Sequence, residues 1–135
     1  MERPPSNLAS FALLVEGHHP VRMDATSILE DAGFRVLDVA TGDAALDILR
    51  QHGRALTLLL TSVGLAGSLN GFALAQMVAL DYPNISIVVA SEHYRPSPGD
   101  LPDSACFIPK PFSAGIVREH LQRIIPDERK PASLR

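Results

Sequence analysis

The sequence predicts an α/β domain: a doubly wound, parallel sheet of five strands in the order 2-1-3-4-5, built from successive βα units. Five short apolar runs recur along the chain, separated by amphipathic stretches. Four of these runs are nearly continuous in apolar residues instead of alternating, the pattern of strands covered by helices on both faces. The connections are too short for anything but right-handed crossovers, which leaves this winding.

The strands are expected at 11–15 (FALLV), 35–40 (RVLDVA), 56–61 (LTLLLT), 85–90 (ISIVVA) and 105–109 (ACFIP). Pro20 can open the first helix, which places Val21, Ala25, Ile28, Leu29 and Ala32 on one face, with Gly33 as a left-handed stop. Thr41 can cap the second helix, Asp43 suits its positive first turn, and Gly53 can end it. A third helix runs from about Gly71 to Asp81 and stops before Pro83. The last starts after Ser113, buries Val117, Leu121 and Ile124, and is cut off by Pro126. Between the fourth and fifth strands, Pro96, Pro98, Gly99 and Pro102 oppose a helix, so a loop with at most one helical turn is expected. Residues 11–125 form the predicted domain. Residues 1–10 and 126–135 are rich in proline and polar groups without apolar period, and read as tails that cannot offset their ordering entropy.

Composition narrows the function classes. The chain has 135 residues, 46% of them apolar, with a formal net charge of -3. That length suits one domain with one large core. No basic stripe is available to neutralise phosphates, so nucleic acid is not an expected partner. No apolar run reaches membrane-spanning length, and the first residues lack the apolar middle of a secretion signal. The single cysteine, Cys106, precludes an internal disulfide and fits a reducing, cytoplasmic setting; on the apolar fifth strand it reads as an inert core thiol.

In this topology the functional crevice lies at the carboxyl ends of strands 1, 3 and 4. Those ends read Val15-Glu16-Gly17-His18-His19-Pro20, Thr61-Ser62 and Ala90-Ser91, with Lys110-Pro111-Phe112 after strand 5. With these pieces, the "LLVEGHHPVR" opening and the "AGFRVLDVATGDAALDIL" run, residues 11–125 resemble the receiver domains of response regulators, the CheY-like members of the flavodoxin-like folds. The resemblance implies an acidic pair that holds Mg²⁺, an aspartate that accepts a phosphoryl group, and a hydroxyl and a lysine that bind its oxygens. Position by position, these fall on Glu16 and Gly17, Ser62, Ala90 and Lys110. Only Glu16 and Lys110 keep the expected chemistry.

The consequences follow from charge. A complete pocket gathers three carboxylates to hold a hard dication through oxygen ligands. Glu16 alone, roughly cancelled by Lys110, predicts weak or absent Mg²⁺ binding and no other metal or cofactor. Ser62 has an unactivated hydroxyl and no neighbouring general base. His18 is the one candidate base, but it stands where the first helix begins and reads, with His19, as a surface residue. Lys110 lacks its aspartate, so it should contact Glu16 or the Ser62 hydroxyl, the alternative being an outward-swung, solvated lysine. The Lys110–Pro111 bond is a candidate for the cis form, as in the family.

Phe107 stands at the family's switch-aromatic position, with half-buried packing as the plain alternative. On the third helix, Ala73, Met77 and Leu80 form a second apolar stripe on the side that normally faces water. It reads either as a docking patch or as ordinary surface apolarity. These features point to a stand-alone atypical receiver without enzymatic activity that acts independently of phosphorylation. Its partner would be a sensor histidine kinase, another signalling protein or a second copy. Two other functions remain open: phosphotransfer through a non-standard acceptor, and small-ligand binding in the same crevice. The latter is weakened by the single glycine of Glu16-Gly17-His18-His19.

Overall fold

The computed structural model describes residues 10–135. Strands β1 (Phe11–Val15), β2 (Arg35–Val39), β3 (Leu56–Ser62), β4 (Ser86–Ser91) and β5 (Ala105–Pro109) alternate with helices α1 (His19–Asp31), α2 (Gly42–His52), α3 (Gly71–Asp81) and α4 (Ala114–Ile124). All strand pairs are parallel and the order is β2-β1-β3-β4-β5, as expected. No helix separates β4 from β5; the proline-rich loop stands there instead. Gln76 of α3 holds this loop by donating to the Gly99 and Asp100 carbonyls, each at 3.1 Å.

Alternation along the strands splits the core in two. Ala12, Leu14, Leu58, Leu60, Val88 and Ile108 face α1 and α4, meeting Leu29, Val117 and Leu121. Leu13, Val15, Leu59, Ile87 and Val89 face α2 and α3, meeting Leu49, Leu74 and Val78. Each fully buried Leu, Ile or Val contributes about 1.5–3 kcal/mol of transfer free energy, so the two layers dominate stability. The central strand β3 is buried along its whole length, whereas β2, at one edge, is half covered.

The helix boundaries follow local chemistry. Thr41, Asn70 and Ser113 cap α2, α3 and α4 by accepting the backbone N–H three residues on. Gly33 ends α1 with φ +107°, the left-handed conformation anticipated for it. Gly53 ends α2 as expected, as its C-cap with φ -52°, and the chain passes through a 3-10 turn over Gly53–Ala55 into β3.

The largest departure from expectation is at the carboxyl terminus. The segment 126–135, read as a tail, is docked. It forms two short 3-10 turns, Asp127–Arg129 and Ala132–Leu134. Leu134, only 1% exposed, completes the α1–α4 core layer. Ser133 donates to the Ala32 carbonyl at 2.5 Å, Arg129 donates to the Leu56 carbonyl at 3.1 Å, and Arg118 donates to the Ser133 carbonyl. A Cβ at Gly33 would come within 2.5 Å of Ser133 Oγ and 2.8 Å of Pro131, so that glycine serves the docked segment as well as the helix end. The amino-terminal stretch read as a tail, 1–10, lies almost wholly outside the described residues.

Candidate functional site

The carboxyl ends of β1, β3 and β5 converge on one polar cluster. Glu16 follows β1 directly and is 5% exposed, its own N–H bound to the Val39 carbonyl at 3.0 Å. Ser62 ends β3, also buried. The α3 amino terminus fixes this strand end: Gly71 donates to the Val63 carbonyl at 2.8 Å, and a Cβ at Gly71 would collide with the Ser62 carbonyl. Lys110 follows β5, its N–H bound to the Ser91 carbonyl at 3.0 Å, and the Lys110–Pro111 bond is cis.

The three side chains are mutually satisfied. Lys110 Nζ lies 2.5 Å from Glu16 Oε1 and 2.6 Å from Ser62 Oγ, while the Ser62 hydroxyl donates to the same Glu16 oxygen. Glu16 Oε2 accepts the His18 N–H at 2.9 Å. Lys110 is therefore turned inward and contacts both groups anticipated for it. Burial pushes the Glu16 carboxyl up, but the hydrogen bonds from Lys110, Ser62 and His18, with the Lys110 charge, outweigh it. The net effect holds Glu16 below the ordinary glutamate range, so it is ionised at neutral pH.

The other anticipated residues fall around this cluster or away from it. Gly17 is exposed and adds no ligand; Ala90, buried, pairs with Ser62 across β3 and β4. His18 and His19 are exposed at the start of α1. The Ser62 hydroxyl is engaged by Glu16 rather than by an imidazole. Phe107 is half-buried in the α2–α3 layer, with the Arg95 guanidinium 5.8 Å from its ring centre. Cys106 is half-buried rather than enclosed, because β5 is an edge strand. Burial raises its pKa despite Arg123, which leaves little thiolate. On α3, Ala73 is exposed, Met77 is 38% exposed and Leu80 is 83% exposed.

Two residues of the site were not anticipated. Arg22 donates to the Glu16 carbonyl at 2.8 Å and pairs with Asp38 at 3.1 Å, which ties α1 to β1 and β2. The available signal was a cation in a helix's first turn, which the macrodipole disfavours unless a specific acceptor is present. The Ser91 hydroxyl accepts the N–H groups of His93 (3.2 Å) and Tyr94 (3.0 Å), which turns the chain out of β4.

No protein-family model matches the chain. A response regulator receiver protein from Sinorhizobium medicae is 27% identical, with a TM-score of 0.77 over 89% of this chain and 97% of that one. The receiver domain of the hybrid histidine kinase CckA superposes with a TM-score of 0.73 at 23% identity, over 87% of this chain and all of that one. The chain is a CheY-like receiver domain. In sequence, this receiver is 30% identical over 122 residues to the sensor kinase CckA of Brucella abortus. It spans only 13% of that protein's length. Among the described residues, no helix of the receiver is long and apolar enough to cross a membrane.

Proposed function

We propose that this receiver signals by binding a protein partner without accepting a phosphoryl group. The observation that carries the reading is the Glu16–Ser62–Lys110 cluster. At the end of β3, where acyl-phosphate chemistry needs a carboxylate, there is a hydroxyl already held by Glu16 and Lys110. No base is available to that hydroxyl, since Glu16 is held ionised by an ammonium and is a poor proton acceptor.

The same donor set argues for weak Mg²⁺ binding. The one carboxylate at the site receives hydrogen bonds from Lys110, Ser62 and His18, and a dication would have to displace the ammonium to reach it. In this reading the domain has no enzymatic activity and works in the cytoplasm beside a sensor histidine kinase or another signalling protein. Incubation with acetyl phosphate and Mg²⁺ should leave the intact mass unchanged, and a stoichiometric phosphoryl adduct would overturn the reading.

For the contact face we favour Ala73, Met77 and Leu80. The α3 helix is apolar on its outer as well as its inner side, whereas a surface helix ordinarily turns polar residues to water. A Met77→Glu/Leu80→Glu variant should keep its circular dichroism and lose at least tenfold in affinity for a cognate histidine kinase. Unchanged affinity would move the contact elsewhere.

A further inference from the structure

We infer that the cleft beside the Glu16–Lys110 pair receives one cationic side chain, an arginine presented by a protein partner. The inference rests on the reading of the domain as a protein-binding receiver, and names one contact such a partner makes.

The cleft, about 760 Å³, opens between the start of α1 and the segment joining β5 to α4. Its walls carry three carboxylates, Glu16, Asp24 and Glu92, against one ammonium, Lys110. Lys110 is directed inward onto Glu16 and Ser62, so that it neutralises the cluster below and not the rim. Asp24 forms no ion pair among the described residues, and Glu92 meets only the His93 imidazole, at 3.7 Å. Two exposed carboxylates thus border the opening without a fixed Lys or Arg countercharge among the described residues. The amino end of α1 would repel a cation, but Glu16 already accepts the His18 N–H there, which reduces that field.

The remaining wall is the His18 imidazole and four apolar residues, Pro20, Val21, Pro111 and Phe112. That combination selects among cations. A small dication needs oxygen ligands on all sides and gains nothing from prolines and a phenyl ring. An arginine has a long aliphatic stem to lay on that wall and a weakly hydrated guanidinium that can donate to two carboxylates at once. Free anions, phosphate included, are opposed by the net negative rim.

The test is a titration of ¹⁵N-labelled protein with the tripeptide acetyl-Ala-Arg-Ala-amide, against the same tripeptide with citrulline, an uncharged isostere, in place of arginine. The arginine peptide should shift the amides of Val21, Asp24, Glu92 and Phe112 with a millimolar Kd, and the citrulline peptide should leave them unmoved. The Asp24→Asn/Glu92→Gln variant, altered only at exposed positions, should bind at least tenfold more weakly with its remaining spectrum unchanged. Absence of shifts with the arginine peptide, equal shifts with citrulline, or unweakened binding by the variant would overturn the inference. None of these outcomes bears on phosphoryl acceptance, which the mass measurement reads separately.

Discussion

The two ends of the sheet are built on opposite terms. At the carboxyl ends of the strands, the backbone frame of the receiver fold brings a few polar side chains together in a buried pocket. Glu16, Ser62 and Lys110 converge there, but they bind one another. At the amino ends, no chemistry is at stake and closure is achieved by packing. Leu134 fills the α1–α4 layer, and Arg129 and Asn84 both donate to the Leu56 carbonyl, at 3.1 and 3.0 Å. One end is held by a few charge-assisted bonds in a polar pocket, the other by apolar burial with bonds to free carbonyls. The difference teaches that the site's frame does not depend on the site's chemistry, because the core layers and the Gly71 approach hold the strand ends whatever side chains they carry.

The sharpest way to break the polar end is Lys110→Met. It leaves the buried Glu16 charge without its cation and should cost about 3 kcal/mol, read as a lower urea midpoint at unchanged m. Adding Glu16→Gln should restore part of that loss, since no unpaired charge then remains. The wild-type pair also has a pH signature. Glu16 titrates lower in the fold than in the unfolded chain. Its contribution is therefore fully present above the ordinary glutamate pKa of about 4.3, and is lost as the pH falls from there through the lower folded value. The Glu16→Gln variant should show a correspondingly shallower acid-side loss.

The apolar end should yield to Leu134→Ala, which removes a fully buried side chain at a cost of about 2–3 kcal/mol. The lower part of the usual range applies because a terminal segment can settle into the space. The substitution should leave the amide shifts of Glu16, Ser62 and Lys110 in place, since no side-chain hydrogen bond joins the two ends among the described residues. Movement of those shifts would show the ends to be coupled.

Much of the frame was legible in the sequence because its signals are local. The strands announce themselves by apolar runs, α2 and α4 by Thr41 and Ser113 at their starts, α3 by Pro83 beyond its end, and the missing fourth crossover helix by Pro96, Pro98 and Pro102. The convergence of Glu16, Ser62 and Lys110 followed from topology, which brings these strand ends together wherever the order is 2-1-3-4-5. The docked terminus was not legible. Its composition is that of a tail, and what orders it is tertiary: one leucine at the right distance, and hydrogen bonds from Arg118, Arg129 and Ser133 to carbonyls remote in sequence. Arg22 escaped for the same reason, since its acceptor is a backbone oxygen of another element.

If the frame persists while the chemistry is gone, restoring the chemistry should restore the reaction. The direct measurement is intact mass after acetyl phosphate and Mg²⁺, on wild-type protein beside a Gly17→Asp/Ser62→Asp/Ala90→Thr variant. The account predicts no adduct on the wild type and one phosphoryl group on the rebuilt pocket. A phosphoryl group on the wild-type chain, above all one mapped to Ser62, would contradict it.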